Sequence, residues 1–181
     1  MDAAVTAVAV TGAGANAADT DIAGAPFMTT SNQPSWEQLA QGQNCPFDAP
    51  RGASTDSWEQ VASLEVSTLY LARNQTYRGH CILILDLRHA TRPDQLSATE
   101  WASFCADLHR AETAVVRAVQ PDHINIASLG NVMPHLHWHI IPRYRADPRW
   151  GGPIWPEEAE RRLTVEEEDA LKGILRKMLS D

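Results

Sequence analysis

The chain has 181 residues, a formal net charge of -8 at neutral pH and only three cysteines. That length supports one well-buried core, so we expect a single folded domain. An acidic chain lacks the basic footprint that phosphate-backbone binding leaves, which argues against nucleic acid as the main partner. Sparse, unpaired cysteines are typical of a reducing compartment, and the sequence has no apolar run of the roughly 20 residues that a membrane span needs. We therefore expect a cytoplasmic protein without a membrane partner.

The first segment of the chain differs in composition from the rest. Residues 1–34 are rich in Ala, Thr, Gly, Asp and Asn and poor in large apolar side chains. Such a segment cannot bury enough surface to offset its ordering entropy, so it is predicted to be a disordered acidic head. Residues 35–181 are predicted to form the single domain. This domain opens with a short helix over 35–41, which Ser35 caps and Gly42 ends.

Local patterns predict a hairpin followed by a long helix. Alternating polarity over 65–73 indicates a first strand, and the apolar run 81–87 indicates a central one. The turn that contains Gly79 joins the two as a hairpin. Ser97 and Glu100 then form a capping box, which is typical of a helix N-terminus, and the apolar stripe that follows continues to Pro121.

The second half of the chain repeats this alternation of strand and helix. Residues 124–128 and 135–141 are predicted strands, separated by a loop over 129–134. Thr164 and Glu167 form a second capping box before a C-terminal amphipathic helix. The Trp, Gly and Pro content of 147–155 indicates an ordered loop near a site, a dimer contact or an ordinary surface loop. The resulting fold class is α+β, an antiparallel sheet with packed helices.

The most informative stretch of the chain is HLHWHII at positions 135–141. Successive side chains of a strand point to opposite faces, so His135, His137 and His139 are predicted to share one face. Residues two apart on a strand lie about 6.6 Å apart and residues four apart about 13 Å, whereas a zinc–nitrogen bond is about 2.0–2.1 Å. The outer pair therefore cannot easily bind one metal ion, and an extended polyphosphate suits the spacing better.

This stretch resembles the signature of the histidine triad (HIT) hydrolases and transferases, which is His-x-His-x-His followed by two apolar residues. The resemblance covers residues 45–145. Gly79 and His80 precede an apolar run, as at the start of the family's second strand. Asn131 stands where relatives carry a glutamine, and Asn125 resembles the asparagine that some relatives use beside the phosphate. The resemblance implies a HIT-like fold with the sheet extended across a homodimer.

The resemblance also implies a chemistry. The substrate would be a small-molecule nucleotide, either a nucleoside polyphosphate such as a diadenosine polyphosphate or a nucleoside phosphoramidate, attacked at its α-phosphate. His137 would attack phosphorus to give a nucleotidyl-histidine. His135, His139 and His80 would bind phosphate oxygens or help to protonate the leaving group. The predicted substrate-binding residues are Asn74, Asn125, Asn131 and Arg143.

Two features depart from the family pattern. The ribose-contacting Asp or Asn of relatives falls on Arg73 or Asn74 here, because the loop before Gly79 is shorter. Many bacterial relatives also carry a Cys-x-x-Cys zinc half-site, whereas this chain reads CPFD at 45–48. Since one thiolate is missing, no metal ligand and no built-in cofactor are predicted, although Mg²⁺ can arrive on the substrate phosphates.

Two other functions stay open at this point. One is a nucleotide-binding regulatory protein without turnover, against which the intact His137 argues. The other is a metal-dependent hydrolase that uses the His135 and His137 pair, against which the strand spacing argues. The leaving group stays open as well, because diadenosine polyphosphates, phosphoramidates and nucleotide sugars present the same attacked centre. His139 in the third position favours hydrolysis, since transferases of the family typically carry glutamine there.

Overall fold

The computed structural model describes residues 34–48, 54–147, 149–155 and 160–180. The strands are β1 Trp58–Ser63, β2 Ser67–Ala72, β3 Cys81–Leu85, β4 His123–Ala127 and β5 His137–Arg143. The α-helices are α1 Trp36–Ala40, α2 Ala98–Val119 and α3 Val165–Ser180, with short 3-10 helices at Pro46–Asp48 and Pro93–Gln95. The predicted disordered head lies outside the described residues except for Pro34.

The five strands form one antiparallel sheet in the order β1-β2-β3-β5-β4. Helices α2 and α3 pack against it, which confirms the predicted α+β fold. Within the described part of the chain, no helix is both long and apolar enough to cross a membrane.

The main core lies between the sheet and helices α2 and α3. It contains side chains of β2, β3 and β5 together with Phe104 of α2 and Leu171 of α3, nearly all of them fully buried. Burial of each large apolar side chain contributes roughly 1.5–3 kcal/mol. The buried sheet residues in this core are Val61, Leu69, Leu71, Cys81, Leu83, Leu85 and Ile140.

The predicted helix caps are present. Ser97 Oγ accepts from the Glu100 amide and the Ser97 amide donates to Glu100 Oε2 at 2.7 Å. Thr164 and Glu167 make the same reciprocal pair before α3. These bonds satisfy amides that a helix N-terminus leaves without an intrahelical partner, and so they define where both helices begin.

Strand β1 is absent from the predicted elements. Its register against β2 shifts between Gln60 and Ala62, which indicates a β-bulge. A bulge adds one residue and so breaks the period-two alternation by which a strand is recognised. The position of β1 at the edge of the sheet also leaves most of its residues only half-buried, which weakens the apolar signal further.

Strand β5 begins at His137, two residues later than predicted. The His135 amide donates to the Met133 carbonyl at 2.8 Å in a tight turn, and the Leu136 amide donates to the Ala90 carbonyl at 2.6 Å. His135 therefore lies ahead of the strand, and the strand alternation relates only His137 and His139.

The face of the sheet opposite the helices carries these two histidines, and we call it the histidine face. In the β3–β5 register, His139 is paired with Ile82 and His137 with Ile84. Both isoleucines are buried on this face with Tyr70 in a small cluster separate from the main core. His137 and His139 thus lie on a central strand of the sheet rather than on a loop.

Candidate active site

His137 lies at the start of β5 with only 5% of its surface exposed. Its Nδ1 is 2.6 Å from the His135 carbonyl oxygen. A carbonyl oxygen can only accept, so Nδ1 donates and carries the proton of the neutral ring. Nε2 is then the nitrogen with the lone pair. Burial lowers the pKa of His137, while the bond to the His135 carbonyl partly opposes this shift.

His139 forms a hydrogen-bonded pair with His80. The His80 Nε2 atom is 3.2 Å from the His139 Nδ1 atom. Burial lowers the pKa of His80 to about 4. Burial, followed by the effects of His80 and His137, lowers the pKa of His139 to about 2. Both rings are therefore neutral near pH 7, and one of them donates to the other.

Aromatic side chains surround His80, His137 and His139. The Phe47 ring lies 5.5 Å from the His137 ring, with the two planes nearly perpendicular. Trp58 contacts His80 and His139 at centroid distances of 6.1 and 6.0 Å. Trp155 contacts His139 at 5.1 Å. These rings exclude water from the imidazoles, which is the physical cause of the lowered pKa values.

His135 has different partners from the other histidines of the motif. Its Nε2 is 2.9 Å from the Leu85 carbonyl oxygen. Its Nδ1 is 3.7 Å from Cys45 Sγ and 3.3 Å from Asp48 Oδ1. The alternation of the motif thus places only two of its three rings on the strand face, and the third turns towards the segment before β1.

Four potential metal ligands meet at this point, and we call them the Cys45 cluster: Cys45, Asp48, His89 and His135. One ligand atom from each lies within 4.8 Å of all the others. A tetrahedral zinc ion has ligand separations of about 3.3 Å between nitrogen and oxygen and about 3.6 Å between nitrogen and sulfur. The distances of His135 to Asp48 and Cys45 agree with these values, whereas the 2.7 Å between His89 Nδ1 and Asp48 Oδ2 is that of a hydrogen bond. His89 is the member of this cluster that belongs to no sequence motif.

Arg143 organises the loop that follows β5. All five of its N–H donors are engaged: with both carboxylate oxygens of Asp147, with Asn125 Oδ1 and with the carbonyls of Arg149 and Gly152. Its guanidinium carbon lies 5.4 Å from the centroid of the Tyr77 ring. The hydrogen bonds from Arg143 lower the pKa of Asp147. All five donors of Arg143, a predicted substrate-binding residue, thus contact groups of the protein, and its contact with substrate stays a prediction.

Residues 149–155, which we call the Trp loop, are positioned by these contacts. Ile154 is buried against Tyr77 and Ile141 on the histidine face. This anchor brings the adjacent Trp155 onto His139. A cleft of ≈ 450 Å³ lies between β4 and the Trp loop, and Asn125 contributes to its lining. Of the three interpretations of this segment, an ordered loop beside the site is the one that the geometry supports.

The three predicted asparagines lie in different parts of the fold. Asn125 is on β4, where it is paired with Ile141 and bonded to Arg143. Asn131 is exposed in the loop before His135. The Oδ1 atom of Asn74 accepts from the Thr76 hydroxyl at 2.8 Å and from the Arg161 amide. Contact of these three residues with substrate stays a prediction.

The free energy of unfolding should fall as the pH drops from about 6.5 to about 4. Burial holds the pKa of folded His80 near 4, whereas the ordinary value is 6.5. Between these values the unfolded chain binds a proton that the folded chain does not, so stability is lost as the pH falls. The size is on the order of 3 kcal/mol, and burial of His139 acts in the same direction. Urea denaturation at several pH values measures it. An equal free energy of unfolding of the wild type at pH 6.5 and pH 4 would contradict this prediction. In the His80→Gln protein, the free energy of unfolding should depend less on pH.

Comparisons with known proteins agree with this geometry. The HIT domain family matches residues 59–146. The adenylylsulfatase HINT3 of Arabidopsis thaliana is 29% identical over 100 residues, which are 52% of this chain and 48% of the relative. The chain thus spans about half the length of the curated relative that it matches.

Solved structures share the fold. A histidine triad protein from Bradyrhizobium japonicum superposes with a TM-score of 0.65 at 23% identity, covering 72% of this chain and 99% of that chain. A zinc-bound histidine triad family protein from Mycobacterium smegmatis superposes with a TM-score of 0.50 at 22% identity, covering 78% and 89%.

The antiparallel sheet thus carries buried imidazoles on the face opposite helices α2 and α3. Residues 59–146 of this chain are similar to the HIT domain family, and the fold is that of the solved histidine triad proteins. The resemblance found in the sequence is thereby confirmed.

Proposed function

We propose that this protein hydrolyses or transfers a nucleotidyl group, with His137 as the nucleophile. The observation that carries the proposal is the bond from His137 Nδ1 to the His135 carbonyl. This bond leaves the lone pair on Nε2 of a neutral ring, which is the form that attacks phosphorus. The match to the HIT domain family and the name of the HINT3 relative support a nucleotide substrate and hydrolysis.

The reaction would have two steps. In the first, Nε2 of His137 bonds to the α-phosphorus, and the bond between phosphorus and the leaving group breaks. In the tautomer in which His80 Nε2 donates to His139 Nδ1, the Nε2–H group of neutral His139 donates a hydrogen bond to the leaving atom, which departs with the bonding electron pair and takes its proton from solvent. In the second step, water bonds to phosphorus, the phosphorus–nitrogen bond breaks, and the water proton is released to solvent. Another acceptor in place of water would give transfer.

No step of this scheme needs a resident metal. A metal ion in the Cys45 cluster would fix the ring of His135, whose carbonyl oxygen in turn orients His137. Mg²⁺ would enter only with the substrate phosphates. The groups that act on the substrate in the proposed mechanism are therefore side chains of the histidine face.

A substrate panel read by mass spectrometry tests the proposal. The panel contains diadenosine polyphosphates, an adenosine phosphoramidate, nucleotide sugars and adenylyl sulfate, the last because of the name of the HINT3 relative. We expect a nucleoside monophosphate as the common product. Tight binding of a panel member without any turnover would instead favour the non-catalytic, regulatory alternative.

The metal-dependent hydrolase is the weaker alternative. It requires His135 and His137 to bind one ion, but Nδ1 of His137 is bonded to the His135 carbonyl oxygen. The His135 ring faces the Leu85 carbonyl and the Cys45 cluster. The two rings therefore serve different neighbours, and a shared catalytic ion does not suit this arrangement.

A cytoplasmic homodimer remains part of the proposal. The HIT resemblance implies that the sheet continues across a two-fold axis, and β4 is at the edge of the described sheet. Size-exclusion chromatography with light scattering measures the mass in solution. A monomer at the concentrations at which the protein is active would contradict the dimer.

The acid limb of the kcat/KM profile should lie below pH 6.5. His137 attacks when neutral, and burial lowers its pKa from the ordinary value of 6.5, so it stays neutral to lower pH than an exposed histidine. The rings that contact it, His139 and Phe47, add no negative charge at acidic pH. Rates from about pH 4.5 to 8 give the profile of the free protein. An acid limb at or above pH 6.5 would show that the group which controls the rate is not this buried imidazole.

A further inference from the structure

The loop between β2 and β3 is built around one buried side chain, that of Gln75. Only 1% of the Gln75 surface is exposed, although a loop between two strands ordinarily lies in solvent. Nε2 of Gln75 donates to the Ala72 carbonyl at 2.6 Å and to the His80 carbonyl at 3.2 Å. Oε1 of Gln75 accepts from the Gly79 amide at 2.7 Å. The side chain therefore joins the two ends of the loop from the inside.

The partners of this side-chain amide fix its orientation. The two carbonyls can only accept and the Gly79 amide can only donate, so a flipped Gln75 would place its oxygen against two carbonyl oxygens. Both N–H donors of Gln75 are therefore in use. A buried amide is costly unless its hydrogen bonds are made, so a glutamine at this position implies that the loop depends on these bonds.

Gly79 completes the loop because its backbone has a positive φ of 89°. A Cβ atom at this position would lie 2.9 Å from the Val119 side chain of α2, so only glycine fits. The amide of Gly79 is the one that Gln75 holds through Oε1. Gln75 thus binds both the residue before His80 and the carbonyl of His80 itself.

This loop places His80 on the histidine face. His80 lies one residue before β3, where its carbonyl also accepts from the Ala72 amide at 2.9 Å. The 3.2 Å between His80 Nε2 and His139 Nδ1 is at the long end of the range of good hydrogen bonds. A displacement of His80 by about 1 Å would break this bond. The backbone position that Gln75 fixes therefore decides whether the pair of rings is bonded.

The chain after β5 holds the same loop from the outside. The Gln75 amide donates to the Arg161 carbonyl at 2.7 Å, and Asn74 forms an isolated β-bridge with Arg162. Trp155, which also follows β5, packs against the His139 ring. Both rings of the pair are thus constrained by contacts with this part of the chain.

We propose that Gln75 is a positioning residue of the histidine face, which holds His80 so that the rings of His80 and His139 keep their hydrogen bond. The bond at one ring nitrogen of a histidine sets which nitrogen carries the proton. Without His80 in place, the proton of His139 would no longer be confined to Nε2. The inference rests on the proposed function, in which the Nε2–H group of His139 donates to the leaving atom, while Gln75 touches no substrate.

Nitrogen-15 spectra of protein labelled at histidine test the pair without any substrate. In the wild type we expect His80 and His139 each to show one fixed tautomer, with an imidazole proton that exchanges slowly with water. Gln75→Met keeps the side-chain length but has no donor. In this variant the slow proton should be lost, and the nitrogen shifts should move towards those of averaged tautomers. His80→Gln identifies the signals of the pair.

Kinetics on the best substrate of the panel give a second measurement. The kcat of Gln75→Met should fall on the order of 100-fold, because a displacement of about 1 Å in a site costs that much. KM should stay close to the wild-type value, since Gln75 is buried behind the pair and the change falls on the reaction step.

Asp107→Asn is the matched control for a merely structural role. Asp107 on α2 is also 1% exposed. Its carboxylate organises the loop between β1 and β2 by accepting from the Glu65 and Val66 amides and from the Ser67 hydroxyl. Asp107→Asn should lower the melting temperature as Gln75→Met does. At a temperature where it is folded, it should keep the wild-type histidine spectrum and kcat.

The proposal is wrong if folded Gln75→Met keeps the slow imidazole proton, or if Asp107→Asn loses this proton equally. If circular dichroism shows that Gln75→Met is unfolded, Gln75→Asn takes its place, because it keeps the amide but is one methylene shorter. Failure of both variants to fold would show that Gln75 serves the whole domain rather than His80, and would also overturn the proposal. A lost proton with an unchanged kcat would contradict the proposed role of His139 in turnover, but not the positioning of His80 by Gln75.

Discussion

The His137→Ala protein should lose turnover by several orders of magnitude while keeping its fold. Loss of a nucleophile removes the covalent route altogether, which typically costs far more than loss of one orienting group. The fold should survive because His137 lies on the histidine face, whereas its neighbours Trp138 and Ile140 pack into the main core. Rates on the best substrate of the panel, with circular dichroism of both proteins, measure the two effects.

Two comparisons make this result specific. Asn131→Ala removes an exposed loop residue and should cost much less activity than His137→Ala. Wild-type protein, quenched in denaturant without acid during turnover, should carry one nucleoside monophosphate on the peptide 135–143. Acid is avoided because it cleaves a phosphorus–nitrogen bond. Turnover by His137→Ala at the wild-type rate would show that the histidine motif has another use.

The Arg143→Ala protein should lose both stability and activity. The side chains of Arg143 and Asp147 are 3% and 6% exposed, so the substitution leaves a nearly buried carboxylate without its partner. Breaking a buried ion pair in this way costs about 3–5 kcal/mol. The Trp loop also loses its bonds to the sheet, and Trp155 with it loses its position against His139. We expect a fall in kcat/KM of about 100-fold, because misplacing a wall of a site by about 1 Å costs that much.

Arg145→Ala is the matched control. Arg145 is two residues further on, has a side chain that is 82% exposed and pairs with Asp122 at the surface. Its loss should change stability by less than about 1 kcal/mol. Arg143→Lys keeps the charge but not the five donors, so it should not restore activity. Full activity of Arg143→Ala at a temperature where it is folded would show that the Trp loop is not part of the site.

Local patterns account for the elements that the sequence predicts well. The hairpin of β2 and β3 follows from an apolar run and a turn, and α2 and α3 follow from apolar stripes and capping boxes. Strand β1 has no such signal because its bulge at Val61 breaks the alternation. The sequence also does not predict that β5 starts at His137. The amides of His135 and Leu136 donate to the carbonyls of Met133 and Ala90, and such turn and tertiary contacts leave no local pattern.

The candidate site also has a part that the sequence predicts and a part that only the structure shows. The sequence brings His137 and His139 together through the strand alternation, and the family resemblance adds His80. It does not bring Asp48 to His89, which is 41 positions away, because no local pattern records a contact at that distance. The sequence does not show the partners of Arg143 for the same reason. An arginine beside a motif indicates a positive charge near the site, and only the fold shows which groups the arginine contacts.

The rings of Phe47 and Trp155 line the site, and they come from segments before β1 and after β5, respectively. Neither belongs to the sheet or to the helices that form the main core. Peripheral segments of this kind can open locally at a far smaller free energy than global unfolding requires. Each opening would admit water to the imidazoles and let their basicity return towards that of free histidine. The temperature above which the site no longer excludes water is therefore a different quantity from the melting temperature of the domain. Circular dichroism measures only the melting temperature.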